Sequence, residues 1–257
     1  MILFTVLPLL LVLYFAFTDR TGAFTFDNIE QAAGYLPTLV KSIYLAAIAT
    51  VICLVFAYPF AYAMSRLSFS RQKMMTMLVM LPMWMNFLLR TYAWQALLED
   101  NGVINSLLTS IGLSPLKLIN TSGAVVLGMV YNYIPYMILP LYSIMTKIDK
   151  SLVEAAGDLG AGFFATFRRV VLPLSMPGII SGTTMVFVPA VSTFVISGML
   201  GGAENYLIGD LIEAQFLGSS GDWNCGSATS LLLMVVVLIT MAIFNRLDSE
   251  DAEEALL

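Results

Sequence analysis

The sequence predicts an all-α membrane protein with six transmembrane helices. Of its 257 residues, 59% are hydrophobic and only 11% are charged, and the mean hydropathy is +0.86. A soluble fold could not hide this much apolar surface, so lipid must solvate much of it. The alternation and aromatic girdles of a membrane barrel are missing. A helical bundle is then expected, because each spanning helix satisfies its own backbone hydrogen bonds.

Six apolar runs are long enough to predict spanning helices. They cover approximately residues 1–18, 38–65, 74–98, 122–146, 173–198 and 227–246. The first run is short, and a signal peptide is the alternative interpretation, but it lacks the basic start and small-residue cleavage site of such peptides. The sequence contains no soluble domain, repeat or low-complexity tract, so residues 1–257 are predicted to form a single membrane domain.

Charge orients the predicted bundle. Eight of the twelve basic residues lie in alternate connections or at the C-terminal end: Arg66, Arg71, Lys73, Lys147, Lys150, Arg168, Arg169 and Arg246. Positive charge marks the cytoplasmic side, so both termini are predicted to face the cytoplasm. The opposite connections are residues 19–37, 99–121 and 199–226. They are rich in acid, and the candidates for an outer acidic mouth are Glu99, Asp100, Asp210, Glu213 and Asp222. Such a mouth would attract a cation, and ordinary topology bias is the alternative.

Composition also restricts the chemistry. The chain has no histidine, which excludes histidine-dependent triads and histidine metal sites. It has no G-x-x-x-x-G-K-[ST] string, so we do not expect it to bind ATP through a P-loop. Its two cysteines, Cys53 and Cys225, lie at different predicted depths and indicate no disulfide framework. We predict no catalytic residue, no metal, no cofactor and no nucleic-acid partner for this chain.

The connection over residues 147–172 is long for a plain loop, and long ordered loops are often functional. Ser151 and Glu154 in it fit a capping box, and Gly160 suits the left-handed conformation that ends a helix. A second helix is expected to end near Arg169, where cations oppose the negative end of the helix dipole. The segment therefore predicts a helix-turn-helix on the cytoplasmic face, with a small-residue surface that another protein can approach closely.

This segment resembles the signature loop of ABC importer permeases, which runs Glu-Ala-Ala, three residues, Gly, nine residues, an aliphatic residue, one residue, Leu-Pro. The matching residues, with the two that follow Ala156, are Glu154, Ala155, Ala156, Gly157, Asp158, Gly160, Val170, Leu172 and Pro173. The resemblance implies the type I importer permease fold, in which this loop is a coupling helix seated on a cytoplasmic ATPase. It also implies a non-catalytic subunit, since ATP and magnesium belong to the ATPase.

A narrower resemblance, to spermidine/putrescine permeases of the PotB type, covers nearly the whole chain. It rests on the segments LPMWMN (81–86), LRTY (89–92), VPA (188–190), DW (222–223) and GSATS (226–230). The family implies a bacterial cytoplasmic membrane location and three kinds of protein partner. These are a homologous second permease (PotC-like), an ATPase dimer (PotA-like) and an extracytoplasmic polyamine-binding protein (PotD-like).

Four side chains of the third apolar run are candidates for contact with cargo in the passage: Trp84, Asn86, Tyr92 and Trp94. Aromatic faces bind cations, and amide oxygens accept hydrogen bonds from amines. For Tyr92 and Trp94 an interfacial aromatic belt is the alternative. Arg90 in the same run would repel a cationic substrate. We expect it to reach the interface or to pair with a carboxylate of another helix or subunit.

Two features concern helix packing. Gly178 and Gly182 form a G-x-x-x-G pattern, which would contact either a partner permease or a helix of the same subunit. Pro189 falls inside the predicted fifth span, where a proline is either a gating hinge or a static kink. Neither alternative can be chosen from the sequence, because the choice depends on which helix faces meet.

Together these observations predict the transmembrane subunit of an ATP-driven importer for spermidine or putrescine, which couples ATP hydrolysis by its partners to alternating access. One alternative is the same machine with other cargo, such as iron, thiamine or an anion. A second is an ion-driven secondary transporter, which usually carries carboxylates deep in its spans. None lies deep in a predicted span here. The third alternative is a membrane scaffold that does not transport.

Overall fold

The computed structural model describes residues 2–218 and 221–254, with side chains for 6–218, 221–244 and 246. Apart from one isolated bridge between Thr18 and Phe24, this part of the chain contains no β-structure. Its α-helices, in chain order, are α1 (Ile2–Ala16), α2 (Asp27–Ala33), α3 (Leu36–Ser65), α4 (Phe69–Trp84), α5 (Phe87–Leu98), α6 (Val103–Ser110), α7 (Ser122–Met145), α8 (Lys150–Asp158), α9 (Phe163–Thr166), α10 (Leu172–Val191), α11 (Val195–Leu200), α12 (Ile208–Leu217) and α13 (Trp223–Glu254).

Four helices are long and apolar enough to cross a membrane: α3, α7, the continuous helix Phe163–Val191, and the Trp223–Phe244 part of α13. A bent pair, Phe69–Trp84 and Phe87–Ser110, meets the same criterion when its two arms are taken together. α1 is apolar but shorter than these helices. The predicted all-helical membrane fold is therefore confirmed, with four or five candidate spans in the described residues where the sequence predicted six.

The third apolar run is not the continuous helix predicted over residues 74–98. Its two arms are bent by 85°, and Met85 between them is extended. Asn86 then starts α5, because its Oδ1 accepts hydrogen bonds from the backbone N–H groups of Leu88 at 2.8 Å and Leu89 at 3.4 Å. A side chain that satisfies the first N–H groups of a helix marks a new beginning. Hydropathy alone does not register such a cap.

The fifth predicted span, residues 173–198, ends earlier than expected, because α10 ends at Val191. Beyond that point the Ser197 hydroxyl donates to the Thr193 carbonyl at 3.4 Å, within a separate short turn of helix, α11. Pro189 consequently lies in the last turn of α10. Its predicted position in the middle of a span is wrong, and a mid-span hinge or kink at this residue loses its basis.

The remaining predicted boundaries agree better. α3 and α7 begin and end within two residues of the predicted limits. α13 begins four residues before the predicted residue 227, because Asp222 caps it: Asp222 Oδ1 accepts a hydrogen bond from the Cys225 backbone N–H at 3.2 Å.

The chain divides into two compact units. Unit 1 comprises Met1–Ala47, Thr91–Met129 and Pro189–Thr240, and unit 2 comprises Ile48–Arg90, Val130–Val188 and Met241–Leu257. The three connections predicted to face outward all belong to unit 1, and the two predicted to face the cytoplasm belong to unit 2. The single membrane domain over residues 1–257 stays a prediction.

In unit 2, the G-x-x-x-G pattern of α10 packs against α7. A Cβ on Gly182 would lie 2.7 Å from Sδ of Met137, and a Cβ on Gly178 would lie 3.2 Å from Cα of Leu141. Met137 and Leu141 are fully buried. The two glycines therefore serve close packing inside the subunit, which is the second of the two predicted alternatives.

Candidate coupling surface and passage residues

α8 is the predicted coupling helix, and it begins two residues earlier than a Ser151 cap would allow. Asp149 is its N-cap: Asp149 Oδ1 accepts a hydrogen bond from the Ser151 backbone N–H at 3.0 Å. Hydrogen bonds from the Ser151 backbone and, second, its side chain lower the pKa of Asp149. The predicted capping box of Ser151 and Glu154 is therefore wrong, because the aspartate two residues ahead already holds the helix start. Glu154 is exposed.

The C-terminal end of α8 has the geometry predicted from its glycine. Gly160 has φ of +81°, in the left-handed region. Its N–H donates to the Gly157 carbonyl at 2.9 Å, and the Ala161 N–H donates to the Ala156 carbonyl at 3.0 Å. These two bonds form a Schellman motif, which satisfies the last helical carbonyls and turns the chain sharply. The left-handed conformation of Gly160 is confirmed.

The surface of α8 and its turn carries little side chain. Of the predicted coupling residues, Ala156 and Leu172 are half-buried, and the exposed ones are Glu154, Ala155, Gly157, Asp158, Gly160 and Pro173. A Cβ on Gly157 or Gly160 would meet nothing within 4 Å. Leu159 beside them is 88% exposed and Phe163 is 78% exposed. Projecting apolar side chains next to an open small-residue surface are typical of a docking site.

The helix after this turn continues into a candidate span. α9, a π-helical turn (Phe167–Val171) and α10 form one helix of 29 residues. The Leu172 N–H donates to the Phe167 carbonyl, and this wider turn stands directly before Pro173, which has no N–H to donate. The predicted separate helix ending near Arg169 is therefore wrong, since the wide turn carries the helix past the proline.

Tyr58 of α3 fixes this helix in unit 2. Its hydroxyl lies 2.8 Å from Ser175 Oγ, and its ring packs edge-on against Phe167 with centroids 5.5 Å apart. The Ser175 hydroxyl donates to the Leu172 carbonyl at 2.9 Å, so Tyr58 is the donor to Ser175. A cavity of about 170 Å³ opens beside this contact, lined by Tyr62, Val153, Gly157, Ala161, Phe163, Thr166, Phe167 and Val171. The sequence contains no signal for Tyr58, because its role depends on a tertiary contact.

The four passage candidates do not lie on one continuous helix. Trp84 ends α4, Asn86 stands in the break, and Tyr92 and Trp94 lie on α5. Trp84 and Tyr92 are strongly exposed, and Trp94 is half-buried. Asn86 Oδ1, the atom that would accept a hydrogen bond from an amine, already binds the Leu88 N–H. Contact of these side chains with cargo stays a prediction, and the capping of α5 is a sufficient reason for Asn86.

The candidates for the acidic mouth divide into two groups. Glu99, Asp100 and Glu213 are exposed, as the prediction requires. Asp222 is half-buried, and its Oδ2 lies 4.0 Å from Nη2 of Arg20. A mouth built from this chain would therefore depend on the exposed group, since Asp222 already caps a helix and pairs with an arginine.

Asp210 is not exposed, so its predicted place in the mouth is wrong. It is 3% exposed and caps α12, because its Oδ2 accepts a hydrogen bond from the Leu207 backbone N–H at 2.7 Å. Burial raises its pKa, and hydrogen bonds from the Ser197 side chain and from Leu207 oppose that rise. An acidic residue in a connection was expected to face water, but Asp210 is buried and its side chain interacts with Ser197 of α11.

Unit 1 also contains a polar cluster around Asn205 that sequence reasoning missed. Asn205 Oδ1 accepts hydrogen bonds from Lys41 Nζ at 3.2 Å and from Ser122 Oγ at 2.8 Å. Its Nδ2 donates to the Asn120 carbonyl at 3.2 Å and to the Gly201 carbonyl at 3.0 Å. The cluster ties α3 and α7 to the segment after α11. An asparagine in a loop carries no sequence mark of such a role.

The comparison with known proteins identifies the family. A family model described as a binding-protein-dependent transport system inner membrane component matches residues 57–249. The spermidine/putrescine transport system permease protein PotB of Haemophilus influenzae is 40% identical over 256 residues, which cover 96% of this chain and 89% of that protein. The chain belongs to the PotB-type family of binding-protein-dependent permeases. As a member of it, this permease is a non-catalytic, multi-pass membrane subunit of an ABC importer.

Solved importers share the fold of this permease. A crystal structure of a bacterial ABC transporter involved in the import of the acidic polysaccharide alginate matches with a TM-score of 0.76 and 17% identity, over 97% of this chain and 91% of that one. A second, the alginate transporter with an alginate pentasaccharide-bound periplasmic protein, matches with a TM-score of 0.64 and 16% identity, over 95% and 93%. The likeness establishes the type I permease fold and carries no information about cargo.

Proposed function

We propose that this permease carries spermidine or putrescine across the membrane as one subunit of an ATP-driven importer. The observation that carries the proposal is the 40% identity to a spermidine/putrescine permease over 96% of the chain. That stretch includes the spans through which cargo must pass. The exposed carboxylates Glu99, Asp100 and Glu213 support a cationic cargo, since a field of one sign concentrates the opposite charge.

In this proposal four kinds of subunit form the importer: this chain, a homologous second permease, an ATPase dimer and an extracytoplasmic polyamine-binding protein. The exposed surface of α8 supports docking of an ATPase, which supplies the ATP and magnesium that this chain is not expected to bind. The excess of basic residues around α8 supports a cytoplasmic position for that surface and for both termini.

The mechanism follows from the continuity of the helix Phe163–Val191. ATP binding draws the two ATPase subunits together and displaces α8. Because the turn at Gly160 joins α8 to a helix that runs without interruption into a span, the displacement reaches the bundle. Inward-open and outward-open packings then exchange, and nucleotide shifts their balance by binding one of them more tightly.

The test is reconstitution of this permease with its second permease, ATPase and binding protein in proteoliposomes. We expect ATP-dependent uptake of labelled spermidine or putrescine, and ATPase activity stimulated by the polyamine-loaded binding protein. Thiamine, ferric iron and an organic anion serve as competing cargo. Uptake of one of these instead of a polyamine would overturn the substrate assignment. Uptake that persists without the ATPase would identify a secondary transporter.

A further inference from the structure

Arg90 is a buried cation without a charged partner among the described residues. It is only 7% exposed, so the expectation that it reaches the interface is wrong. Its Nε and Nη1 atoms are enclosed and have no hydrogen-bond partner. The guanidinium carbon lies 6.0 Å from the centroid of the Phe87 ring, at the limit of a cation–π contact. The ion pair that the described part of the chain contains joins Arg20 and Asp222.

This arrangement calls for a negative group from elsewhere. A charge withdrawn from water is unfavourable unless it is paired and hydrogen-bonded. The position of Arg90 adds to the cost, because it lies in the first turn of α5, where the helix dipole is positive. A cationic cargo cannot balance the positive charge of Arg90. One carboxylate or phosphate would balance it.

The geometry shows where such a group can bind. Nε and Nη1 are enclosed, which leaves Nη2 as the guanidinium nitrogen that a group outside this chain can reach. A carboxylate oxygen of another protein can accept a charge-assisted hydrogen bond from Nη2. The neighbouring residues Met85, Leu88 and Leu89 are apolar and exposed by 52%, 47% and 64%. A protein surface that covers them would exclude water from the pair.

The burial of Arg90 favours a protein carboxylate over a lipid phosphate. A phosphate lies outside a hydrocarbon core about 30 Å thick. An arginine that reaches it must extend along the helix with its end uncovered, whereas Arg90 is covered by its own chain.

We propose that Arg90 forms an ion pair with an aspartate or glutamate of the second permease subunit, so that the charge of this chain is balanced only in the assembled importer. The proposal rests on the proposed function, because it requires a second permease. The pair would also hold the positive charge of Arg90 away from a cationic cargo. Assembly would thereby select the partner permease by its charge as well as its shape.

The first test compares Arg90→Gln and Arg90→Lys with Arg20→Gln in the full importer. Arg20 is the matched control, since its side chain is 72% exposed. We expect Arg90→Gln to lower the second permease recovered with this chain about tenfold. Arg90→Lys should keep part of the recovery, and Arg20→Gln should change nothing. Unchanged recovery in Arg90→Gln would overturn the proposal.

The second test locates the counter-charge. In the Arg90→Gln background, each aspartate and glutamate of the second permease and of this chain is changed singly to asparagine or glutamine. One change in the second permease should restore assembly, because it removes the carboxylate that Arg90 no longer balances. Restoration only by an acidic residue of this chain would overturn the proposal. So would assembly of the wild type that follows the fraction of phosphatidylglycerol in the vesicles, because a lipid phosphate would then be the partner.

These outcomes separate the ion pair from the proposed function. Wild-type and Arg90→Gln importers that both assemble and import polyamine would refute the pair and leave the function intact. If Arg90→Gln weakens assembly and one change in the second permease restores it, but the wild-type importer carries other cargo, the ion pair is supported and the substrate assignment is refuted. A wild-type chain that binds no second permease would refute both.

Discussion

Two polar regions of this permease are built in opposite ways. Around Asn205, in unit 1, four side-chain hydrogen bonds satisfy both the oxygen and the nitrogen of one amide. On α8 and its turn, in unit 2, glycine and alanine are exposed, and Leu159 projects without cover. A saturated cluster fixes the chain that forms it. An open small-residue surface stabilises little within its own chain and is suited to a partner. Mutations in the two regions should therefore fail in different ways.

The largest effect is expected for Gly160→Pro. Gly160 has φ of +81°, which proline cannot adopt, so the turn between α8 and the following helix must change. We expect ATP-dependent uptake to fall about a hundredfold, the equivalent of two tenfold steps in a coupling equilibrium. Gly162→Pro is the matched control, because Gly162 has φ of −69°, within the range of proline. Uptake measured in proteoliposomes decides the prediction, and equal effects of the two prolines would contradict it.

Asn205→Ala tests the other region. The variant leaves Lys41 and Ser122 without their shared acceptor and should lower the free energy of unfolding by about 2 kcal/mol, as expected for several partly exposed hydrogen bonds. Thermal unfolding of the purified importer in detergent measures the loss. Coupling per folded molecule should stay near wild type. An Asn205→Ala protein that is as stable as the wild type but has uncoupled ATPase activity would contradict the assignment of this cluster to stability.

Gly157→Leu has the opposite expected profile. A Cβ at Gly157 meets nothing within 4 Å, so the larger side chain fits the isolated chain, and replacing a helical glycine favours the helix. A docked ATPase would meet the new side chain, and we expect its affinity for the permease to fall about tenfold. The ATPase affinity of Gly157→Ala, which adds one carbon, should lie between the affinities of the wild type and of Gly157→Leu. Binding measured on the reconstituted complex checks the series, and wild-type binding by the leucine variant would show that this face is not the docking surface.

These two regions also show what can be predicted from sequence. The resemblance of the spacing from Glu154 to Pro173 to the importer signature implied the coupling loop, and the left-handed Gly160 follows from the way helices end. The helix cap was misassigned, because Asp149 and Ser151 are both good caps and only the backbone path decides between them. The break at Asn86 was missed, since the residues around it are apolar. Local patterns therefore identify elements, and their boundaries depend on individual hydrogen bonds.

Tertiary contacts account for the other differences. Asp210 belongs to a helix with acidic and apolar residues in alternation, and only the packing of α12 on α11 shows that it is buried. The position of Tyr58 beside Ser175 depends on residues more than a hundred positions apart. Composition located α3 and α7 within two residues, because these apolar runs form uninterrupted helices, whereas the equally apolar third run is broken at Met85. A single polar residue has several physical explanations.

The smallest expected effect concerns pH. Burial raises the folded-state pKa of Asp210 above its unfolded value, so the folded state prefers the protonated form. Its contribution to stability is full below the unfolded pKa, about 4, and is lost as pH rises through the folded pKa. Asp210→Asn keeps an acceptor for the Leu207 N–H and does not titrate. We expect the variant to gain Tm over wild type near neutral pH and to lose that advantage in acid. A difference in Tm that is constant with pH would contradict this.

Labelling of Leu159→Cys with a membrane-impermeant maleimide tests most directly whether α8 faces the cytoplasm and docks the ATPase. Cys53 and Cys225 are buried, so the background should be low. We expect labelling in inverted vesicles, none in right-side-out vesicles, and protection when the ATPase is bound. Labelling from the outside, or an ATPase that leaves the new thiol equally reactive, would contradict the assignment of α8 as the coupling helix.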